Sequence, residues 1–174
     1  MIKRIFQDLD ECILHTFVNT LPYEGEKYVE FILGDDMHTY RTIIRPCAKE
    51  LFEYYNSVVG KDNVYILTTA TRDYAETLNR LGEFGLDEHH IFAREDIQQY
   101  RVSLGWSGEG VDPLPIADPN NVLIDNLPPR DNWTKMDMMG IVTKNYYQTP
   151  EYYGNNLSED NFLAGIKKFI KDRQ

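Results

Sequence analysis

Residues 2–11, IKRIFQDLDE, decide the fold of this chain. The stretch opens as a short apolar-rich segment and breaks at Asp8, Leu9 and Asp10. An apolar run of this length predicts a buried β-strand, and its abrupt end in two carboxylates predicts a polar site just beyond it. Side chains two residues apart point the same way in extended backbone, so we expect both carboxylates to face that site.

The rest of the chain alternates strand and helix patterns. Two strands on either side of a turn at 34–37 predict a β-hairpin flap, and helices are predicted where apolar residues recur every three or four positions. The predicted strands cover residues 28–33, 39–44, 64–67, 91–93, 122–124 and 141–142, and the predicted helices cover residues 45–59, 72–84 and 158–171. This alternation predicts an α/β fold with a parallel sheet, whose ligands bind at the carboxyl ends of the strands.

Composition limits the classes of function. The chain has 174 residues, which predicts one domain over 1–174 with an irregular insert at about 96–120. A net charge of −10 argues against long nucleic acid and anionic membranes as partners, but a metal ion would still allow a phosphorylated substrate. Cys12 and Cys47 lack a CxxC pattern and are interpreted as reduced core thiols. With no signal peptide or membrane-spanning run recognised, we expect a cytoplasmic protein.

Asp8 and Asp10 are the candidate catalytic residues. An ionised carboxylate at Asp8 can attack phosphorus, and a second carboxylate at Asp10 can protonate the leaving group and then deprotonate water. The DxD pattern alone is weak evidence, because such pairs arise by chance in acidic chains. Two further strands, however, also end in polar groups that phosphoryl transfer needs.

Thr69 and Asp125 end those two strands. The hydroxyl of Thr69, beside free backbone N–H groups of the next helix, predicts a phosphate cradle, although Thr68, Thr69 and Thr71 are equally suited to capping and turns. Asp125 is suited to complete a magnesium site of oxygen ligands, or alternatively to form a turn with the residues after it.

These residues resemble motifs of the haloacid dehalogenase (HAD) superfamily, and in particular the branch of NLI-interacting-factor and small CTD phosphatases. The resemblance rests on residues 6–16, FQDLDECILHT, residues 44–46, IRP, residues 66–71, ILTTAT, and residues 122–126, VLIDN. It implies a Rossmann-like three-layer α/β/α fold without a large cap, a Mg²⁺ cofactor and hydrolysis of phosphomonoesters through an aspartyl phosphate.

The resemblance also implies a role for each matching residue. It makes Asp8 the nucleophile and a metal ligand, and Asp10 the acid and base and a metal ligand through its backbone carbonyl. It implies phosphate binding by Thr69 and Ala70, and metal binding by Asp125 and Asn126. The lysine of the third motif has no counterpart between Lys61 and Lys135. Arg94, Arg101 and Lys135 are the candidate replacements.

Three functions remain open at this stage. The branch favours a phosphoprotein substrate, whereas a 5′(3′)-nucleotidase or polynucleotide-end phosphatase shares the same motifs. The short segment between Asp10 and Thr39 leaves no room for the helical cap usual in deoxyribonucleotidases. A non-catalytic phosphate-binding module is the third reading. Of the four histidines, we expect a structural hydrogen bond at His15 and surface or loop positions for His38, His89 and His90.

Overall fold

A five-stranded parallel sheet lies at the centre of the computed structural model, which describes residues 1–34, 37–96, 120–127, 145–155 and 159–174. The strand order is β6-β5-β1-β7-β8, and each neighbouring pair runs parallel. The predicted parallel sheet is therefore confirmed. Its strands are β1 (Arg4–Gln7), β5 (Val64–Leu67), β6 (Ile91–Phe92), β7 (Asn121–Asp125) and β8 (Tyr146–Gln148).

Strand β1 occupies the middle of this sheet because its side chains are apolar on both faces. Ile5 and Phe6 point to opposite faces, and both are almost completely buried. Ile5 belongs to the main hydrophobic core, whereas Phe6 packs with Leu67 and Leu123 in a second cluster. Gln7 aligns with Ile66 on one neighbour and with Ile124 on the other, so the three strands end at the same edge.

In the described parts of the chain, three α-helices accompany the sheet, namely α1 (Ala48–Val59), α2 (Arg72–Leu81) and α3 (Glu159–Lys171). All three were predicted, but two of their limits differ. Helix α1 begins at Ala48 and not at Arg45, because the Ala48 N–H donates to the Arg45 carbonyl in a turn before the helix. Helix α2 ends at Leu81, since Glu83 takes a left-handed φ of 53° that no helix can continue.

A second, antiparallel sheet forms the flap. It consists of β2 (Leu14–Val18), β3 (Val29–Ile32) and β4 (Thr39–Ile44) in the order β2-β4-β3. The predicted hairpin corresponds to β3 and β4, whereas β2 was missed. Its sequence, LHTFV, has one fully buried side chain and no clear alternation of apolar and polar residues, so its pairing with β4 is what defines it as a strand.

The edge of the central sheet also differs from the prediction. No strand was predicted at Tyr146–Gln148, but this segment pairs with β7 as strand β8. Three residues are too few to display a strand period. The strand predicted at 141–142, the cap at Ser158 and nearly all of the insert at 96–120 lie outside the described residues.

One main core joins the first and last described elements. Phe162, Ile166 and Ile170 of α3 are buried in it, as the helical period predicts. Cys12 and Cys47 are both buried and form no disulfide, in agreement with their interpretation as core thiols. In the part of the chain that the structure covers, every helix is too short or too polar to cross a bilayer.

Candidate active site

The loop after β1 brings Asp8 and Asp10 together through a tight turn. The Asp8 N–H donates to the Ile124 carbonyl at 2.9 Å, which is the last bond between the loop and β7. The Leu9 carbonyl then accepts hydrogen bonds from the N–H groups of residues 12, 13 and 14. Leu9 is completely buried and anchors the turn. Both carboxylates therefore lie at the carboxyl edge of the central sheet.

Asp125 and Asn126 reach the same edge from β7. Asp125 is buried, and its Oδ1 accepts a hydrogen bond from the Leu127 N–H at 2.8 Å. One amide atom of Asn126 lies 3.2 Å from the Asp10 carbonyl oxygen and 3.3 Å from Asp8 Oδ2. If this atom is the amide nitrogen, it donates hydrogen bonds to the Asp10 carbonyl oxygen and to Asp8 Oδ2. If it is the amide oxygen, it forms a cluster of three oxygen atoms with them. The second arrangement is a donor set that suits magnesium.

Negative charge accumulates at this site. Burial raises the pKa of the Asp8 carboxyl well above its ordinary value, and the charges of Asp125 and Asp10 raise it further. Burial likewise raises the pKa of Asp10 to about 6, although the hydrogen bond from Tyr74 acts in the opposite direction. A bound cation would offset this repulsion. The oxygen atoms of Asp8, Asp10, Asp125 and Asn126 thus fit a magnesium ion in chemistry and in charge.

A chain of hydroxyl groups connects Asp10 to the flap. The Tyr74 hydroxyl donates to Asp10 Oδ1 at 2.5 Å and lies 2.6 Å from Thr16 Oγ1. Thr16 Oγ1 in turn lies 2.7 Å from Thr42 Oγ1. Burial and the charge of Asp10 raise the pKa of Tyr74, so its hydroxyl remains a donor. The helical period over residues 72–84 predicts that Tyr74 packs on the apolar face of α2, but period alone does not distinguish a packed tyrosine from one that also holds a carboxylate.

The loop after β5 carries Thr69 and Ala70 and holds Arg94. Thr69 is exposed, and the buried Thr68 accepts a hydrogen bond from the Ala70 N–H at 3.1 Å. Arg94 donates its backbone N–H to the Ala70 carbonyl and its Nε–H to the Thr69 carbonyl, both at 2.8 Å. A cationic side chain is therefore fixed against the predicted phosphate loop. Of the candidate replacements for the missing lysine, Arg101 and Lys135 lie outside the described residues.

The amide groups of this loop are less free than the sequence suggested. The N–H of Arg72, the first residue of α2, donates to Glu95 Oε2 at 2.9 Å. Together with the bond from Ala70 to Thr68, this contact satisfies two N–H groups that were expected to be available for phosphate. A bound phosphate would have to use the remaining donors of the loop or displace the Glu95 carboxylate.

Buried polar contacts of Gln7 and Cys12 hold the loop that carries Asp8 and Asp10. The Gln7 Nε2 group lies 2.8 Å from the Asp8 carbonyl oxygen and 3.0 Å from Cys12 Sγ, and Gln7 Oε1 accepts a hydrogen bond from Tyr55. Cys12 Sγ also lies 3.3 Å from Thr149 Oγ1. The Cys12 thiol is therefore part of a polar network that fixes the loop after β1.

The histidines divide between the surface and the interior. His15 packs edge-on against Phe17 and Tyr153, and its Nδ1 lies 3.5 Å from the Glu11 carboxylate without the expected hydrogen bond. His38 and His89 are exposed as predicted. His90 lies in the turn before β6, in keeping with the predicted surface or loop position, but its side chain is buried with 6% exposure because its ring packs against Tyr65.

Comparisons with known proteins show which solved structures share this fold. The chain matches no protein-family model and no curated protein. Solved structures do match, and their likeness confirms the predicted Rossmann-like α/β fold class. A structure of Fcp1, described as an essential RNA polymerase II CTD phosphatase, aligns with a TM-score of 0.59 and 15% identity over 98% of this chain and 48% of that chain.

A second similar structure is fission yeast Fcp1, an RNA polymerase II CTD phosphatase, in a variant bound to beryllium fluoride. It aligns with a TM-score of 0.56 and 14% identity over 99% of this chain and 50% of that chain. The present chain spans about half the length of both solved chains. At these identities the likeness establishes the fold.

Proposed function

We propose that this protein is a magnesium-dependent phosphomonoesterase in which Asp8 is the nucleophile and Asp10 is the general acid and base. The observation that carries the proposal is the convergence of Asp8, Asp10, Asp125 and Asn126 at one edge of the sheet. Three carboxylates that repel one another are costly to a fold without a ligand that needs them. A phosphoryl-transfer site with a divalent cation needs such a set.

The proposed reaction has two steps that balance. In the first, an Asp8 oxygen forms a bond to phosphorus while the bond to the leaving oxygen breaks, and Asp10 gives its proton to that oxygen. In the second, Asp10 takes a proton from water as the water oxygen attacks phosphorus and releases Asp8. A pKa of about 6 for Asp10 suits a group that must both give and accept a proton near neutral pH.

Other residues position these groups. Tyr74 holds Asp10 by its hydroxyl and is a positioning residue. Arg94, fixed against the Thr69 and Ala70 loop, supplies the cation that the third-motif lysine supplies in the similar family. Bound magnesium would supply positive charge that offsets Asp8 and the phosphate. Asp8, the Asp10 carbonyl, Asp125 and Asn126 would hold it.

A phosphoprotein is the proposed substrate class. The flap of β2, β3 and β4 is a three-stranded sheet and not a helical cap, which supports access by a phosphorylated side chain on a larger molecule. The similar solved structures are CTD phosphatases by description, which supports the same class. Nucleotides would have to use the same open site.

The test is phosphate release from an aryl phosphate, phosphoserine and phosphotyrosine peptides, deoxynucleoside monophosphates and a 3′-phosphorylated oligonucleotide, with and without magnesium. Wild type is compared with Asp8→Asn and with Asp172→Asn, a control at an exposed aspartate just after α3. We expect magnesium-dependent turnover that falls at least about 10³-fold in Asp8→Asn and is unchanged in the control.

The same substrate panel also distinguishes the three candidate functions. A peptide as best substrate supports the phosphoprotein proposal, and a nucleotide as best substrate replaces it with a nucleotidase. Folded wild-type protein that binds magnesium but releases phosphate from no substrate would overturn the enzyme proposal in favour of a phosphate-binding module.

A further inference from the structure

A second group of metal-ligating side chains lies at the other end of the central sheet. Asp87, His89 and His90 each offer one ligand atom, and these atoms all lie within 4.8 Å of one another. The group immediately precedes β6, so it sits at the amino end of that strand, whereas Asp8 lies at the carboxyl edge. Nothing in the proposed phosphatase mechanism uses these residues.

The backbone that carries the group is held from two sides. On one side, the Asn79 side chain donates to the Leu86 carbonyl at 2.7 Å and accepts from the Leu86 N–H at 3.2 Å. On the other side, the Arg72 guanidinium donates to the carbonyls of Glu88 and Ile91 at 3.2 and 3.1 Å. A ligand set on a fixed backbone loses little conformational entropy when it binds an ion.

The turn and the rings are held in place as well. The His90 N–H donates to the Asp87 carbonyl at 2.9 Å, which closes the turn that contains all three ligands. The His90 ring meets Tyr65 nearly edge-on, with centroids 4.9 Å apart. The His89 ring lies against it with centroids 4.4 Å apart. Packing against Tyr65 therefore fixes one imidazole, and the exposed His89 and Asp87 remain able to close on an ion.

The chemistry of the donors selects the ion. Two imidazole nitrogens and one carboxylate oxygen suit a borderline transition metal such as zinc, whereas magnesium prefers oxygen ligands alone. Three protein ligands leave at least one position on zinc for water or another ligand. The charged carboxylate and ammonium groups that act on His90 are the acidic Asp87 and Asp62 and the basic Lys61, so their summed charge is negative and favours a cation.

We propose that Asp87, His89 and His90 form a binding site for Zn²⁺ or a similar transition-metal ion, separate from the candidate active site. The bound ion would cross-link the three side chains of the turn before β6. Because the ion binds only the folded turn, it would raise the stability of the protein in proportion to its affinity and concentration. This proposal does not depend on phosphatase activity.

The test is calorimetric titration of the full chain with zinc chloride in a buffer containing excess magnesium chloride. The magnesium is added to fill the proposed oxygen site, and Asp8→Asn checks that this site contributes no zinc signal. We expect one zinc ion per chain in wild type and in Asp8→Asn. His89→Ala and Asp87→Asn should each lose at least about tenfold in affinity, while His38→Ala, a control at an exposed histidine of the flap, should bind as wild type does.

Cobalt chloride supplies an independent readout. Visible absorption of Co²⁺ added to the protein reports nitrogen and oxygen coordination directly, and we expect the band to disappear in His89→Ala. His89 is exposed, so this variant keeps the packing of His90 on Tyr65 and should fold. Saturable binding that survives in both His89→Ala and Asp87→Asn, or no saturable binding in wild type, would overturn the proposal.

Discussion

The two ends of the central sheet carry candidate metal-binding groups of different kinds. At the carboxyl edge, Asp8 and Asp125 come from opposite halves of the chain and meet only when β1 pairs with β7. At the amino end of β6, the ligands between Asp87 and His90 belong to a single turn. The first set contains oxygen atoms alone, and the second contains two imidazoles. The site at the carboxyl edge is therefore assembled by the tertiary fold, whereas the site at the turn before β6 is assembled by local sequence.

The two ends also differ in what they cost the fold. Burial raises the pKa values of Asp8 and Asp10, and the charges of Asp125 and Asp10 raise that of Asp8 further, so the folded state favours the neutral forms of these two carboxyl groups. The turn at Asp87 is instead supported by hydrogen bonds from Asn79 and Arg72. Groups that raise the energy of the folded state are typical of functional sites, whereas the polar contacts at the turn are satisfied.

The largest effect that separates the two ends is expected from Asp10→Asn. Loss of the acid and base should lower steady-state turnover by about 10²–10⁴-fold. With an aryl phosphate the leaving group needs little protonation, so Asp8 should still be phosphorylated while hydrolysis stalls. A stopped-flow burst of about one aryl product per enzyme is therefore expected. Unchanged turnover would remove Asp10 from the mechanism, and zinc affinity serves as the control that should not move.

Arg94→Ala should have the next largest effect. Removal of a cation held at the phosphate loop should lower kcat/KM by about 10–100-fold, because the transition state loses charge stabilisation. Arg94→Lys should recover part of this loss, and Arg80→Ala, at an exposed position on α2, is the matched control. If Arg94→Ala behaves like the control in steady-state kinetics, another cation performs this role.

Tyr74→Phe should have a smaller effect with a distinctive pH signature. The hydroxyl stabilises ionised Asp10, so its loss should raise the pKa of Asp10 and move the alkaline limb of the kcat/KM profile up by about one pH unit. We also expect kcat to fall by about tenfold, because Asp10 loses its orientation. Tyr54→Phe, whose hydroxyl contacts Lys167 instead, is the control. A fall in kcat with an unmoved alkaline limb would indicate a packing role alone.

The smallest effect concerns stability. The pKa of Asp10 is about 6 in the folded protein against an ordinary value of 3.8, so the folded state binds more protons between these values. Stability without metal should therefore fall as pH rises through this window and stay lower above it. Asp10→Asn should raise the free energy of unfolding near pH 8 by about 1–2 kcal/mol, a discounted value because Asp10 is only partly buried.

Urea unfolding at pH 4 and at pH 8 measures this effect. Magnesium added at pH 8 should stabilise wild type more than Asp10→Asn, because the ion offsets the charge that the variant lacks. Wild-type stability that rises from pH 4 to pH 8, with no gain in the variant, would contradict the assigned direction of the Asp10 pKa.

Much of the fold followed from local patterns. The strands at 64–67 and 122–124 and the apolar face of α3 were predicted because short apolar runs and a 3.6-residue period are visible without any knowledge of partners. Strand β2 and strand β8 were missed, since each is short, mixed in character and defined by its pairing. The same limit applied to His90, whose burial depends on Tyr65 from another strand.

By itself, the sequence determined that polar groups follow β1, β5 and β7, and that parallel strands would bring them to one edge. Only the tertiary structure decided that Tyr74 holds Asp10, that Arg94 is bound to the Thr69 carbonyl, and that Asn126 lies against Asp8 and the Asp10 carbonyl. The physical reason is the distance along the chain over which each kind of interaction acts. Period and propensity act between neighbours along the chain, whereas these contacts join side chains from different elements, which meet only when the core has packed.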